Sequence, residues 1–157
     1  VYPPSIERVR SEYNVDVVEP DDIFDVECDI LSPCSLGGVL NEDTVERLRT
    51  QAVVGPANNQ LLTPEQGDRL AERDILYVPD FVVNAGGLIN VYEELRGYTV
   101  DKAAAHIDRI YDNTLQVLEA SRERGITPEE TAVALTEERI HDIGNLRLFR
   151  RSGDDRN

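Results

Sequence analysis

Over its first half the chain alternates short apolar runs with stretches of helical periodicity, and over its second half only the helical periodicity persists. The runs Val15 to Val18, Cys28 to Leu31, Ala52 to Val54 and Ile75 to Val78 read as strands, because each is too short for a helix and rich in Val, Ile or Leu. Between them lie helical segments with recognisable end signals. Ser5 can cap a helix from Ile6 to Tyr13, ended by Asn14, since its hydroxyl can accept from the free amides of a first turn. The stretch Asn41 to Arg49 carries Glu42 and Asp43 at its start and arginines at its end, the order a helix dipole favours. Thr63 and Pro64 ahead of Glu65 and Gln66 open a third helix running to about Arg73.

Strands alternating with short helices at this spacing predict parallel pairing with both faces of the sheet covered. After Pro79 the pattern is helical throughout, first from Asp80 to Gly97 and then from Val100 to Arg124. In the second of these, Ala103, Ile107, Ile110, Tyr111, Thr114 and Leu118 fall on one stripe. Gly125 is a stop signal, and Thr127-Pro128-Glu129-Glu130 starts a last helix to about Ile140. The expected fold class is α/β: a partial doubly wound, Rossmann-like parallel sheet followed by C-terminal helices. Residues 1–150 form one unit and residues 151–157 a flexible tail, with no internal repeat or interdomain linker.

Composition narrows the classes of function. A chain of 157 residues, 40% hydrophobic and 30% charged, is long enough for one domain with a real core. No apolar run approaches the roughly 20 residues needed to span a bilayer, and the start VYPPSIERVR lacks the apolar stretch of a secretory signal, so a cytoplasmic protein is expected. The chain begins with Val1 and contains no Met, which reads as a fragment or an incomplete gene product. The net charge is −15, and Lys102 is the only lysine among 16 basic residues. Nucleic acid is excluded as a partner on that ground, because phosphate binding needs clustered Lys and Arg. The acidity fits a halophilic host, where salt screens self-repulsion, or a merely acidic protein in which Arg displaces Lys. Cys28 and Cys34 match neither a zinc spacing nor a disulfide framework and read as buried reduced thiols, and the isolated His106 and His141 suggest no metal site.

In open α/β sheets ligands bind beyond the carboxyl ends of the strands, so the loops after Leu31, Val54 and Val78 hold the candidate chemistry. The first, Ser32-Pro33-Cys34-Ser35-Leu36-Gly37-Gly38, has small side chains that let a flat ligand approach the backbone. The second, Gly55-Pro56-Ala57-Asn58-Asn59-Gln60, places three side-chain amides behind a Gly-Pro turn. These either meet a ligand carboxamide or amino acid, or form an Asx turn that caps the loop. The third, Pro79-Asp80-Phe81-Val82-Val83-Asn84-Ala85-Gly86-Gly87-Leu88, sets two glycines in a helical pattern at a cost of roughly 1 kcal/mol each against Ala. Close ligand approach or tight helix packing would each account for them.

The ordered set CDILSPC, GPANNQL and PDFVVNAGGLIN resembles the leucine, phenylalanine and valine dehydrogenases, kin of glutamate dehydrogenase, from about Ile6 to Ile140. Leucine dehydrogenases are the nearest members, and the stretch corresponds to the distal, C-terminal part of their NAD-binding domain. The resemblance implies reversible oxidative deamination of an apolar L-amino acid to a 2-oxo acid and ammonia, with hydride passing to NAD. By position it implies that Asn59 contacts substrate and nicotinamide, that Asn84 faces the carboxamide side of the ring, and that Leu88 lines the substrate side-chain pocket. Cys34, Ser35 and Leu36 would lie along the nicotinamide-ribose half of the cofactor, with Asn58 a secondary candidate. It further implies a homo-oligomeric parent enzyme with a preceding substrate domain.

Other family features are missing from these residues. No G-x-G-x-x-G occurs, and the acidic residue that would bind the adenosine ribose falls near Pro3, where VYPP stands instead of Val-Thr-Asp. The family's catalytic lysines belong to the substrate domain, and Lys102, beside Asp101 at the start of an amphipathic helix, reads as a solvated charge. No catalytic residue is therefore expected here, and the isolated chain is expected to be inactive. A non-catalytic amino-acid- or nucleotide-binding module and a structural subunit pairing with a complete dehydrogenase are the alternatives.

Overall fold

The computed structural model describes residues 2–153, with side chains described through residue 144. The fold is α/β. Three parallel strands, β1 (Glu27–Leu31), β2 (Arg49–Val53) and β3 (Leu76–Tyr77), pair in the order β1-β2-β3. Crossover helices α2 (Glu42–Arg47) and α3 (Glu65–Glu72) join them, and α1 (Pro3–Glu12) precedes the sheet. After β3 come α4 (Asp80–Val83), α5 (Gly86–Leu95), α6 (Val100–Arg124) and α7 (Pro128–Gly153).

Helix ends follow the local chemistry. Asn41 caps α2 by accepting from the amides of Asp43 and Thr44, and Thr44 returns the bond through its hydroxyl oxygen to the Asn41 amide. At the start of α3 the Gln66 side chain accepts from both the amide and the hydroxyl of Thr63. Arg73, at the end of α3, donates to the carbonyls of Val45 and Leu48, closing the C-terminal turn of α2. Gly125 takes a left-handed conformation, φ 66°, that ends α6.

The register fixes which side chains face the core. Leu31, Val53 and Tyr77 stand side by side, and all three pack against Leu40, Val45, Leu48 and Leu70 from the crossover segments. The neighbouring row, Ile30, Ala52 and Leu76, points to the other face, where Ile30 remains 59% exposed. The sheet is thus covered on one face and largely open on the other around β1, in contrast to the two covered faces read from the apolar runs.

Four further expectations are revised. Val15 to Val18 form no strand, and Val15, Val17 and Val18 stay exposed. Pro20 and the short 3-10 turn Asp22–Asp25 follow at once, so no hydrogen-bond ladder offsets the cost of ordering the run. α1 starts at Pro3 rather than at Ile6, since two prolines pre-set its first turn and supply no amides that need a cap; Ser5 lies inside that turn. The segment from Asp80 to Gly97 is interrupted at Asn84 and Ala85, just ahead of the two glycines, and α7 runs on past Ile140 to Gly153. Residues 151–153 of the expected tail are therefore helical, and 154–157 lie outside the described residues.

On α6 the inward stripe is Ala103, Ile110, Thr114, Val117 and Ser121, with Ile107 and Tyr111 left exposed. Where the sequence pattern joins all these positions into one face, contact with α4, α5 and α7 selects one edge of it. A partly buried polar contact holds α5 to α6: Glu93, almost fully buried, meets His106 Nδ1 at 2.9 Å.

Candidate functional site

The three loops at the carboxyl ends of the strands are locked together by backbone contacts. The Ala57 amide donates to the Pro33 carbonyl and the Val54 amide to the Leu31 carbonyl, each at 3.0 Å. Gly55 is required by this approach, because a Cβ at that position would fall on the backbone N and O of Pro33. Gly37 also sits close to the second loop, its missing Cβ 2.8 Å from the carbonyl oxygens of Asn58 and Asn59. The Gly38 amide then donates to the Asn59 carbonyl at 2.7 Å.

Gln60 and Asp80 hold the second and third loops in place. Gln60 is fully buried, and its Nε2 donates to the carbonyls of Gly55 and Ala57 at 2.6 and 3.0 Å. Its backbone amide donates to Asp80 Oδ2 at 2.9 Å. Neither residue stands out in sequence as more than a polar neighbour of the Asn pair, although an acidic residue opening a helix next to a buried amide is a common strut.

This scaffold presents the candidate amides. Asn84 Nδ2 donates to Asn58 Oδ1 at 2.7 Å, so the side chains that meet directly are Asn84 and Asn58. Asn59 is exposed beside them and adopts a left-handed backbone, φ 53°, that Asn tolerates better than most residues. Asn84 closes α4 with its amide bonded to the Asp80 carbonyl at 2.8 Å, its side chain half-buried. No capping of the Asn59 loop by its own Asn side chains accompanies this, among the described hydrogen bonds; Gln60 takes that part.

A Cβ added at Gly86 or Gly87 would meet nothing within 4 Å. Tight helix packing therefore does not account for these two glycines, and the space above them is open. Leu88 follows on the first turn of α5 and is 75% exposed. In the first loop Cys34, Ser35 and Leu36 are all exposed; Ser35 donates to the Leu36 carbonyl at 3.3 Å, and Cys34 Sγ lies 3.5 Å from the Ser32 carbonyl. The expectation of two buried thiols is corrected: Cys28 is half-buried and Cys34 lies on the surface, in the exposed loop that follows β1.

A depression of about 760 Å³ lies elsewhere, at the amino ends of β1 and β2, lined by Glu27, Arg49, Gln51 and Arg73 among others. Lying at the opposite ends of the strands, it is associated with none of the loops above. Lys102 is exposed on α6 and shares a small cleft with Arg96 and His106 around Glu93. Among the described residues no three His, Cys, Asp or Glu side chains gather as a metal ligand set, and no helix is long and apolar enough to cross a membrane.

Comparison with known proteins identifies the scaffold. The sequence is 41% identical over 152 residues to leucine dehydrogenase of Bacillus cereus, a stretch covering 96% of this chain and 42% of that protein. The crystal structure of L-tryptophan dehydrogenase from Nostoc punctiforme superposes with a TM-score of 0.87 at 43% identity, covering 90% of this chain and 43% of that one. Hetero-hexameric glutamate dehydrogenase from Thermus thermophilus shares the fold, with a TM-score of 0.71 at 24% identity over 92% of this chain and 36% of that one. The chain thus spans about two fifths of the length of the relatives it matches. Its residues 4–145 match the signature of the Glutamate/Leucine/Phenylalanine/Valine dehydrogenases, and the chain belongs to that family.

Proposed function

We propose that this chain is the nicotinamide- and substrate-facing part of an NAD-dependent amino-acid dehydrogenase, acting in the reversible oxidative deamination of an apolar L-amino acid such as leucine, valine or phenylalanine to its 2-oxo acid and ammonia. The observation that carries this reading is the Asn84 to Asn58 hydrogen bond, which gathers side-chain amides from two loops at the carboxyl ends of parallel strands, with Asn59 exposed beside them. Amides both donate and accept, as recognition of a carboxamide or an amino acid requires.

The residues present fit the nicotinamide half of the cofactor. Gly86 and Gly87 leave open space next to Asn84, where a flat ring needs close access to the backbone. Asn59 and Asn84 would hold the carboxamide side of the ring, and the backbone and side chains of Cys34, Ser35 and Leu36 would follow the adjoining ribose. Bound NAD supplies the hydride acceptor. Leu88, exposed one turn from Asn84, would meet the apolar side chain of the substrate, and its shape would weigh branched against aromatic substrates. Asn59 would orient the substrate amino or carboxylate group against the ring, a positioning role that requires no proton transfer by the amide.

Proton transfer and imine hydrolysis need a group that changes charge near neutral pH, and Asn cannot supply it. Lys102 is solvated on α6, and arginines stay protonated. The general acid and base would come from residues beyond those in this sequence, in a substrate domain packed over the loops. The exposure of Leu36, Leu88, Leu95 and Tyr111 supports such a covering partner, and the parent enzyme would be an oligomer.

Two assays test the reading. The chain alone, given NAD and leucine, valine or phenylalanine at low and high salt, is expected to show no turnover. Residues 4–145 grafted in place of the matching stretch of the Bacillus cereus enzyme are expected to give NAD-dependent oxidation of an apolar amino acid, weakened by Asn59→Ala. A folded chimera that binds NAD yet never turns over, or turnover by the chain alone, would contradict the assignment.

A further inference from the structure

The hydrogen bond between Asn84 and Asn58 has a direction: Asn84 Nδ2 donates and Asn58 Oδ1 accepts, at 2.7 Å. The nitrogen of the Asn84 amide is therefore held on the Asn58 side. Because nitrogen and oxygen diverge from the same carbon, Asn84 Oδ1 is turned away from Asn58. None of the described hydrogen bonds uses Asn84 Oδ1, yet it is not among the buried oxygens that lack a partner, so it is open to solvent. Gly86 and Gly87 keep the neighbouring space free of side chains.

Both ends of the bond rest on Asp80. Its backbone carbonyl accepts the Asn84 amide at 2.8 Å, and its carboxylate accepts the Gln60 amide at 2.9 Å. Gln60 Nε2 in turn donates to the carbonyl of Ala57, immediately before Asn58. With the backbone fixed on each side, what Asn58 adds is the setting of a side-chain torsion. Without an acceptor at that point the Asn84 amide is free to turn over and present either its nitrogen or its oxygen.

An oxygen that can only accept discriminates among ligands. A nicotinamide carboxamide brings an NH2 group that donates to it. A ring carrying a methyl ketone in place of the amide brings a methyl group there, which leaves the oxygen covered and without a partner.

We propose that Asn58 is a positioning residue which, through Asn84, makes this site select the carboxamide of a nicotinamide dinucleotide by its NH2 group. This selectivity rests on the cofactor reading above and adds to it the donor and acceptor sense of the contact. Asn58 needs no contact of its own with the ligand, so a side chain of its size that accepts can replace it.

NAD and its 3-acetylpyridine analogue have the same charge and differ in this one group. Both are titrated by NMR into the whole isotope-labelled chain in excess sodium chloride, which screens the acidic surface. The unaltered chain is expected to bind NAD about tenfold more tightly than the analogue, the effect of one acceptor left without its donor. Asn58→Ala should bring that ratio close to one, chiefly by weakening NAD, whereas a purely structural role would weaken both ligands alike. Asn58→Asp keeps the acceptor, cannot donate, and should retain the ratio. In the free proteins the side-chain amide protons of Asn84 should exchange with water more slowly in the parent chain and in Asn58→Asp than in Asn58→Ala. A ratio near one in the unaltered chain, a ratio unchanged in Asn58→Ala or lost in Asn58→Asp, or equal exchange in all three proteins would overturn the proposal and leave the cofactor reading in place. Failure of the unaltered chain to bind either dinucleotide would overturn the cofactor reading itself, and this proposal with it.

Discussion

The carboxylate of Asp80, the first residue of α4, accepts the backbone amide of Gln60 at 2.9 Å across 20 residues of sequence. This buried bond is the direct tie between the second and third loops beneath the exposed Asn58 to Asn84 contact. Asp80→Ala leaves the Gln60 amide buried without a partner, at a cost of about 1–3 kcal/mol. Denaturant unfolding should register that loss, and amide hydrogen exchange should place it at Gln60 and its neighbours. Asp80→Asn keeps an acceptor oxygen and should cost less; equal stability of Asp80→Ala and the parent chain would deny Asp80 its role as a strut.

Two glycine substitutions separate a tightly packed position from an open one. Gly55→Ala forces a Cβ onto the Pro33 backbone and should destabilise the chain by about 3 kcal/mol, with thermal unfolding as the readout. Gly87→Ala meets nothing and lies inside a helix, so it should leave stability unchanged or raise it by up to about 1 kcal/mol. In the proposed function the same Gly87→Ala change weakens NAD binding. A stabilised variant with undiminished cofactor affinity would remove the ligand explanation for this glycine.

The strand-and-helix alternation and the three loops at the carboxyl ends of the strands were legible in sequence because each rests on local signals: apolar runs, caps, prolines and glycines. The Asn41 capping box and the Gly125 stop need no tertiary contact to be read. What could not be read depends on neighbours. Val15 to Val18 has the composition of a strand and no strand beside it, and Ile107 and Tyr111 share a periodicity with buried residues yet face outward because only one edge of α6 meets other helices. The Asn-rich loop announced itself, whereas the residues that hold it, Gln60 and Asp80, became visible only when their hydrogen bonds were known. The pairing of Asn84 with Asn58 rather than Asn59 follows from the left-handed turn at Asn59, which no spacing rule supplies.

Glu93 and His106 join α5 to α6. His106→Ala strands a nearly buried carboxylate and should cost about 1–3 kcal/mol in denaturant unfolding, the lower end being favoured by the partial exposure of the imidazole. The double variant Glu93→Gln with His106→Ala should recover part of the loss, since the uncompensated charge is gone. No recovery in that double variant would show that packing, rather than charge pairing, links the two helices.

Glu129 gives the pH dependence a definite sign. A carboxyl whose value is raised in the folded chain binds its proton more tightly there than in the unfolded chain. Its contribution therefore favours folding fully below the ordinary value of 4.5 and is lost as pH rises through the raised value. Glu129→Gln cannot ionise and escapes that loss. The stability of the parent chain relative to Glu129→Gln should fall as pH rises from about 4 to about 8. A difference that stays constant or grows with pH would contradict the buried, Asp80-facing position of this carboxyl.

In the proposed function the Asn-bearing loops face nicotinamide. Saturation-transfer NMR on the chain with NADH tests it most directly, because it reports which ligand protons touch the protein. The strongest transfer is expected at the nicotinamide ring and its ribose, with a marked loss of that transfer in Asn59→Ala and Asn84→Ala proteins that remain folded. Transfer confined to the adenine protons, or nicotinamide transfer unaffected by both substitutions, would contradict it.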